Sequence, residues 1–138
     1  HNGRRRQRQM CIRDSLHIGQ NDMKPELAKN QISSKVKIGL SITDLDQIQN
    51  IPNFINYIGV GPIFPTNSKT DASNAMGELI LEEIIKKVDI PVVAIGGIKL
   101  KNIDKLKSMG VSGFAMISEI FSSIDPEKKF KEFKKIAK

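Results

Sequence analysis

The chain has 138 residues, a formal net charge of +7, 39% hydrophobic residues and 5% aromatic residues. That length suits about one domain with room for a real core, and no apolar run approaches the ~18 residues of a membrane span. Its one cysteine, Cys11, excludes an intrachain disulfide. No signal-peptide pattern is present, so a cytoplasmic location is the expectation.

The charge is unevenly distributed. All five arginines (Arg4, Arg5, Arg6, Arg8 and Arg13) lie in the first thirteen residues. From Ser15 onward seventeen lysines face fourteen acidic residues, which leaves +3. The head, residues 1–14, has no apolar period. It reads as translated adaptor or vector sequence joined to a shortened gene. A basic arm for nucleic acid and a native disordered tail are the alternatives. No aromatic or recognition helix accompanies the arginines, so no nucleic-acid partner is expected.

From residue 15 the chain alternates apolar runs with helical patterns. Leu16–Gly19 reads as a strand that ends in polar Gln20-Asn21-Asp22. Pro25–Gln31 reads as a helix, because proline suits a first helical turn. Lys37–Ser41 is a second strand. Thr43 or Asp44 can cap a helix through about Asn50, with Leu45 and Ile48 facing inward. Tyr57–Ile63 is a third strand, broken at Gly61-Pro62. A loop from about Pro65 to Met76 follows. A helix is expected near Gly77–Lys87, with Leu79, Ile80, Ile84 and Val88 inward. Pro91–Gly97 is a fourth strand and Lys101–Met109 a helix that stops at Gly110. Gly113–Ser118 is a fifth strand. Pro126 opens a terminal helix with Phe130, Phe133 and Ile136 spaced three apart.

Five apolar strands, each followed by a helix, imply an α/β fold with a parallel sheet. A doubly wound open sheet and a (β/α)8 TIM barrel both fit the alternation. Five βα units are too few for a closed barrel, so the barrel reading is of a partial one.

Several strand ends carry residues with chemical potential. Asp22 lies just past the first strand, where a carboxylate can bind Mg2+ with substrate phosphates completing the shell; it can equally cap the next helix. Ser41 ends the second strand and can donate to a phosphate or satisfy a turn. After the third strand, Thr66, Ser68 and Lys69 place two hydroxyls and one cation on a loop, a candidate anion site. Gly96-Gly97 follows the fourth strand and Ser118 the fifth. Barrels often hold a phosphate on the loops after the last two strands, through backbone N–H groups. His17 lies inside a strand and reads as structural. No His/Cys cluster or Ser-His-Asp spacing supports zinc chemistry or triad hydrolysis.

The stretches His17–Asp22, Ile38–Ser41, Tyr57–Lys69, Pro91–Ile98 and Gly113–Ser118 together resemble the thiamine-phosphate synthase family. The Gly-Pro-Ile-Phe-Pro-Thr-x-[Ser/Thr]-Lys element, here Gly61–Lys69, is the most specific of them. The resemblance implies a TIM barrel and a transferase that uses Mg2+. Such an enzyme joins hydroxymethylpyrimidine diphosphate to a thiazole phosphate and releases diphosphate. By the same resemblance Asp22 matches a Mg2+ ligand, and Ser41 and Lys69 match the diphosphate-binding, catalytic pair. Thr66, Asn67 and Ser68 match the thiazole-phosphate loop, with Gly97, Ile117 and Ser118 as its backbone cradle. Ser68 stands where many members have threonine. The family's first three βα units, with a further metal ligand and the basic pyrimidine-diphosphate motif, have no counterpart here. The expected partners are therefore small molecules, with no membrane and no nucleic acid, and a homo-oligomer is compatible with the pattern. A thiazole tautomerase-like relative and an inactive phosphate-binding fragment are the alternatives. The tautomerase group departs from the Gly61-Pro62 pair and from Asp22, both of which are present.

Overall fold

The computed structural model describes residues 15–65, 75–116 and 124–137. The arginine-rich head lies outside them. Five β-rich runs form strands: β1 (Ser15–Ile18), β2 (Lys37–Ile42), β3 (Tyr57–Val60), β4 (Val92–Ile95) and β5 (Gly113–Ala115). They make one sheet in the order β1-β2-β3-β4-β5, with every neighbouring pair parallel. This sequential order excludes the doubly wound alternative, in which the strand order reverses at a switch point. The arrangement is that of TIM-barrel-like α/β folds.

The register separates the residues of each strand onto two faces. Ile18 pairs with Leu40, Leu40 with Ile58 and Ile58 with Val92. Paired residues in a parallel sheet share a face, and their sequence neighbours take the other. Ile18, Leu40, Ile42, Ile58, Val60, Val92 and Ala94 form one face, and all are buried. Helix residues Ala28, Leu81, Ile84, Ile103 and Leu106 join them in a single apolar cluster. Each fully buried Leu or Ile side chain contributes roughly 1.5–3 kcal/mol through removal from water. The opposite face carries His17, Gly39 and Tyr57 in one row and Ser41, Gly59 and Val93 in the next.

Among the described residues the α-helices are α1 (Pro25–Gln31), α2 (Glu78–Lys87), α3 (Leu100–Ser108) and α4 (Pro126–Ala137). Pro25 opens α1 as the sequence predicts. The segment after Thr43 is a 3-10 helix, Leu45–Asn50, and its N-cap Asp44 accepts from the Asp46 amide. Leu45 and Ile48 pack against the core as expected. Of the residues expected to face inward from α2, Ile80, Ile84 and Val88 pack in or against the core and Leu79 does not. Leu81 and Ile84 are fully buried, whereas Leu79 is 81% exposed. Leu79 stands in the first turn of α2, about 200° around the helix from Leu81 at 3.6 residues per turn. Gly110, with φ of +101°, terminates the turn after α3. Phe130 of α4 is exposed, while Ile136 packs against the core and Lys107 donates to its carbonyl at 3.1 Å.

Candidate functional site

Because all strands are parallel, their C-terminal ends lie along one edge of the sheet. Three of the sequence-selected residues in the described structure, Asp22, Ser41 and Gly97, follow or end strands there. Thr66, Asn67, Ser68, Lys69, Ile117 and Ser118 lie outside the described residues.

After β1 the chain makes a tight turn. The Asp22 amide donates to the Gly19 carbonyl at 3.2 Å, and the Gly19 amide donates back to Asp22 Oδ2 at 2.7 Å. Asp22 therefore does not cap α1, whose N-cap is Lys24 without a side-chain bond. One carboxylate oxygen is engaged in closing the turn. Two open clefts meet at Asp22, one bounded by Gln20, Gln47 and Asn50, the other by Leu16, His17 and Gln31.

Ser41 sits one residue before the end of β2 and joins a network across three strands. Its Oγ lies 2.8 Å from His17 Nε2, and His17 Nδ1 lies 3.2 Å from the Tyr57 hydroxyl. The two rings stack at 5.6 Å between centroids. Gln20 Nε2 donates to the Ser41 carbonyl, tying the Asp22 turn to β2. Glycines make room for this layer. A Cβ on Gly39 would run into the Tyr57 ring, and one on Gly59 would come within 2.9 Å of His17 Cε1. Burial lowers the His17 pKa below 6.5, and the Asp22 carboxylate partly offsets this. Desolvation disfavours the imidazolium, so the ring is neutral at physiological pH.

His17 lies inside β1 as the sequence reading has it, and its hydrogen bonds join it and Tyr57 to Ser41 on one face of the sheet. A signal was available in the sequence. His17 has the opposite parity to the buried Ile18, and Tyr57 the opposite parity to the buried Ile58.

The segment after β3 bridges its neighbours. Gly61 donates to the Ile42 carbonyl at 3.1 Å, while Ile63 and Phe64 donate to the carbonyls of Ile95 and Gly96 at 3.0 and 3.2 Å. This close fit explains Gly96 and Gly97, whose φ angles are +90° and +68°. A Cβ on Gly97 would sit 2.7 Å from the Phe64 carbonyl oxygen and 2.9 Å from that of Pro65. The Gly-Gly pair holds in place the strand end that leads into Thr66–Lys69.

Among the described residues no group of three or more His, Cys, Asp or Glu side chains could hold a metal ion. No helix among them is long and apolar enough to cross a membrane.

The fold and this edge define an α/β protein of the TIM-barrel-like class, with polar side chains and glycine turns at the C-terminal ends of its parallel strands. The family described as thiamine monophosphate synthase matches residues 2–120, and the chain belongs to it. The match begins inside the arginine-rich head. The thiamine-phosphate synthase of Histophilus somni (strain 129Pt) is 42% identical over 123 residues, covering 86% of this chain and 55% of that protein. That of Archaeoglobus fulgidus is 41% identical over 119 residues, covering 86% and 56%. Among solved structures, the thiamine phosphate pyrophosphorylase from Pyrococcus furiosus superposes with a TM-score of 0.77 at 34% identity, over 90% of this chain and 59% of that one. The chain spans somewhat more than half the length of these relatives.

Proposed function

We propose that this chain is part of a thiamine-phosphate synthase that joins hydroxymethylpyrimidine diphosphate to a thiazole phosphate with release of diphosphate. The observation that carries the reading is the C-terminal edge, where the Asp22 turn and Ser41 are linked through Gln20. Ser41 supplies a hydroxyl to the departing diphosphate. Lys69 supplies a positive charge to the same group, and Thr66, Asn67 and Ser68 hold the thiazole phosphate. Gly97, Ile117 and Ser118 complete that cradle through their backbone. A bond that breaks with charge growing on diphosphate is accelerated by donors and cations aimed at the leaving group. No residue of this site needs to act as a strong base, in keeping with a neutral His17.

Mg2+ fits the donor set in a limited way. It binds through one or two carboxylates together with substrate phosphates. Asp22 offers such an oxygen, because only Oδ2 is engaged by Gly19. Bound there, the ion would neutralise diphosphate charge. Asp22, held in its turn by Gly19, would present the remaining oxygen. The small-molecule substrates, a cytoplasmic setting and the absence of nucleic-acid and membrane partners follow from the same reading. We also propose that the residues preceding β1 in a complete enzyme supply the rest of the pyrimidine-diphosphate site.

The test is an assay with both substrates and Mg2+, on the chain alone and on a form carrying family-type strands ahead of residue 15. The longer form is expected to make thiamine phosphate and the chain alone not to. In the longer form Ser41→Ala and Asp22→Asn should each lower turnover at least about tenfold, as loss of a donor or ligand at a reacting charge does. A longer, folded form without product would sink the proposal.

A further inference from the structure

The Ser41 hydroxyl has one proton to give and two places to send it. A hydroxyl is one donor with two acceptor lone pairs. If Ser41 donates to His17 Nε2 at 2.8 Å, it meets a bound anion with lone pairs alone. If Nε2 carries the imidazole proton instead, His17 donates to Ser41 and the serine proton turns outward. The neutral ring has one N–H, and the bond made by its other nitrogen fixes which nitrogen carries it. That other nitrogen, Nδ1, faces the Tyr57 hydroxyl at 3.2 Å. A phenol is a stronger acid than an alkanol, so Tyr57 is the better donor to the ring.

We infer that Tyr57 and His17 are positioning residues. Tyr57 donates to Nδ1, holds His17 as the Nε2–H tautomer, and so turns the Ser41 proton toward the diphosphate. This rests on the proposed role of Ser41. The surroundings are built for fixed geometry. Gly39 lets the Tyr57 ring lie flat on β2, and Gly59 leaves space for the His17 ring. Gln20 fixes the backbone of Ser41 from the other side. An anion at Ser41 reinforces the same direction, since every donor in the relay then points toward it.

The first measurement is the nitrogen NMR spectrum of labelled histidine at pH 7.5. The chain has two histidines, His1 and His17, and His17→Gln assigns the signals. We expect the Nε2–H form in the parent and a shift toward Nδ1–H in Tyr57→Phe, where Ser41 becomes the donor. A parent ring in the Nδ1–H form, or an unchanged tautomer in Tyr57→Phe, overturns the inference.

The second is calorimetric titration with magnesium diphosphate. Tyr57→Phe should weaken binding about tenfold, the scale of one hydrogen bond to a charged group, and weaken it no further in a Ser41→Ala background. His17→Gln keeps a donor amide and should retain more affinity than His17→Ala. Equal losses with and without Ser41 would show a merely structural role for Tyr57 and overturn the inference. A parent chain that does not bind magnesium diphosphate, or a Ser41→Ala chain that binds like the parent, counts against the functional reading; the tautomer still decides which way the bond runs.

Discussion

Gly97→Ala should destabilise the protein strongly and Gly113→Ala should not. Gly97 has φ of +68°, where a side chain costs about 1–2 kcal/mol. Its Cβ would also sit 2.7 and 2.9 Å from two carbonyl oxygens of the Phe64–Pro65 segment. These are backbone atoms of a segment whose Ile63 and Phe64 amides bond the carbonyls of Ile95 and Gly96, and they cannot swing aside as a side-chain tip can. Overpacking of that kind costs typically 1–3 kcal/mol. The total is about 2–5 kcal/mol, a large part of the roughly 5–15 kcal/mol that stabilises a domain. Gly113 is a control within the same sheet. Its nearest neighbour would be Val93 Cγ2 at 3.6 Å, an ordinary contact. Gly113→Ala should be neutral or gain about 0.4–1 kcal/mol from a less flexible unfolded chain. Urea unfolding reads both. With a slope near 2 kcal/mol per molar, the Gly97→Ala midpoint falls by about 1–2.5 M. A loss under about 0.5 kcal/mol, or an equal loss at Gly113, would refute the argument that Gly97 is required by the approach of the Phe64 segment.

Three further outcomes are expected. Ile58 is fully buried in the central strand, so Ile58→Ala should cost about 2–5 kcal/mol by thermal or urea unfolding. His17 has a folded pKa below 6.5, so as pH falls from 6.5 the unfolded chain takes up the proton first. Its contribution to stability is present above pH 6.5 and is lost as pH drops through the folded value. Urea midpoints at pH 7.5 and 5.5 should therefore differ less in His17→Gln than in the parent. Lys69→Ala in a longer, active form should lower turnover about 100-fold while changing thiazole-phosphate affinity little, because its charge acts on the leaving group. Steady-state kinetics would show this as a fall in kcat.

The strands and α1 were legible because apolar runs bounded by Gly and Pro leave few alternatives. Parallel pairing follows from the same alternation, whereas the strand order, which separates a doubly wound sheet from a barrel, does not. On α2 the five apolar residues of a short helix admit more than one rotation, and packing keeps Ile84 inward but buries Leu81 in place of Leu79. The sequence leaves Asp22 between ligand and cap. Its actual bond runs backward to Gly19, a direction that spacing cannot reveal. The link from His17 and Tyr57 to Ser41 is hidden in the sequence for a related reason. Each is ordinary within its own strand. Only the register, which sets His17 and Tyr57 on either side of Gly39, turns them into one network with Ser41.

The separation of the two sheet faces also bears on how this sequence can change over time. The strands β1, β2 and β3 interleave two texts, read at alternate letters. Even substitutions among Ile, Leu and Val on the oily side are judged by packing. Changes at His17, Ser41 or Tyr57 are judged by chemistry, and neither kind of change spoils the other's message. Slipping a strand by a single position would exchange the two texts, setting Ile18 and Leu40 where ligand chemistry belongs and His17 and Ser41 within the oil. Point substitutions can therefore retune such a site freely, whereas insertions or deletions inside a strand should be purged almost without exception.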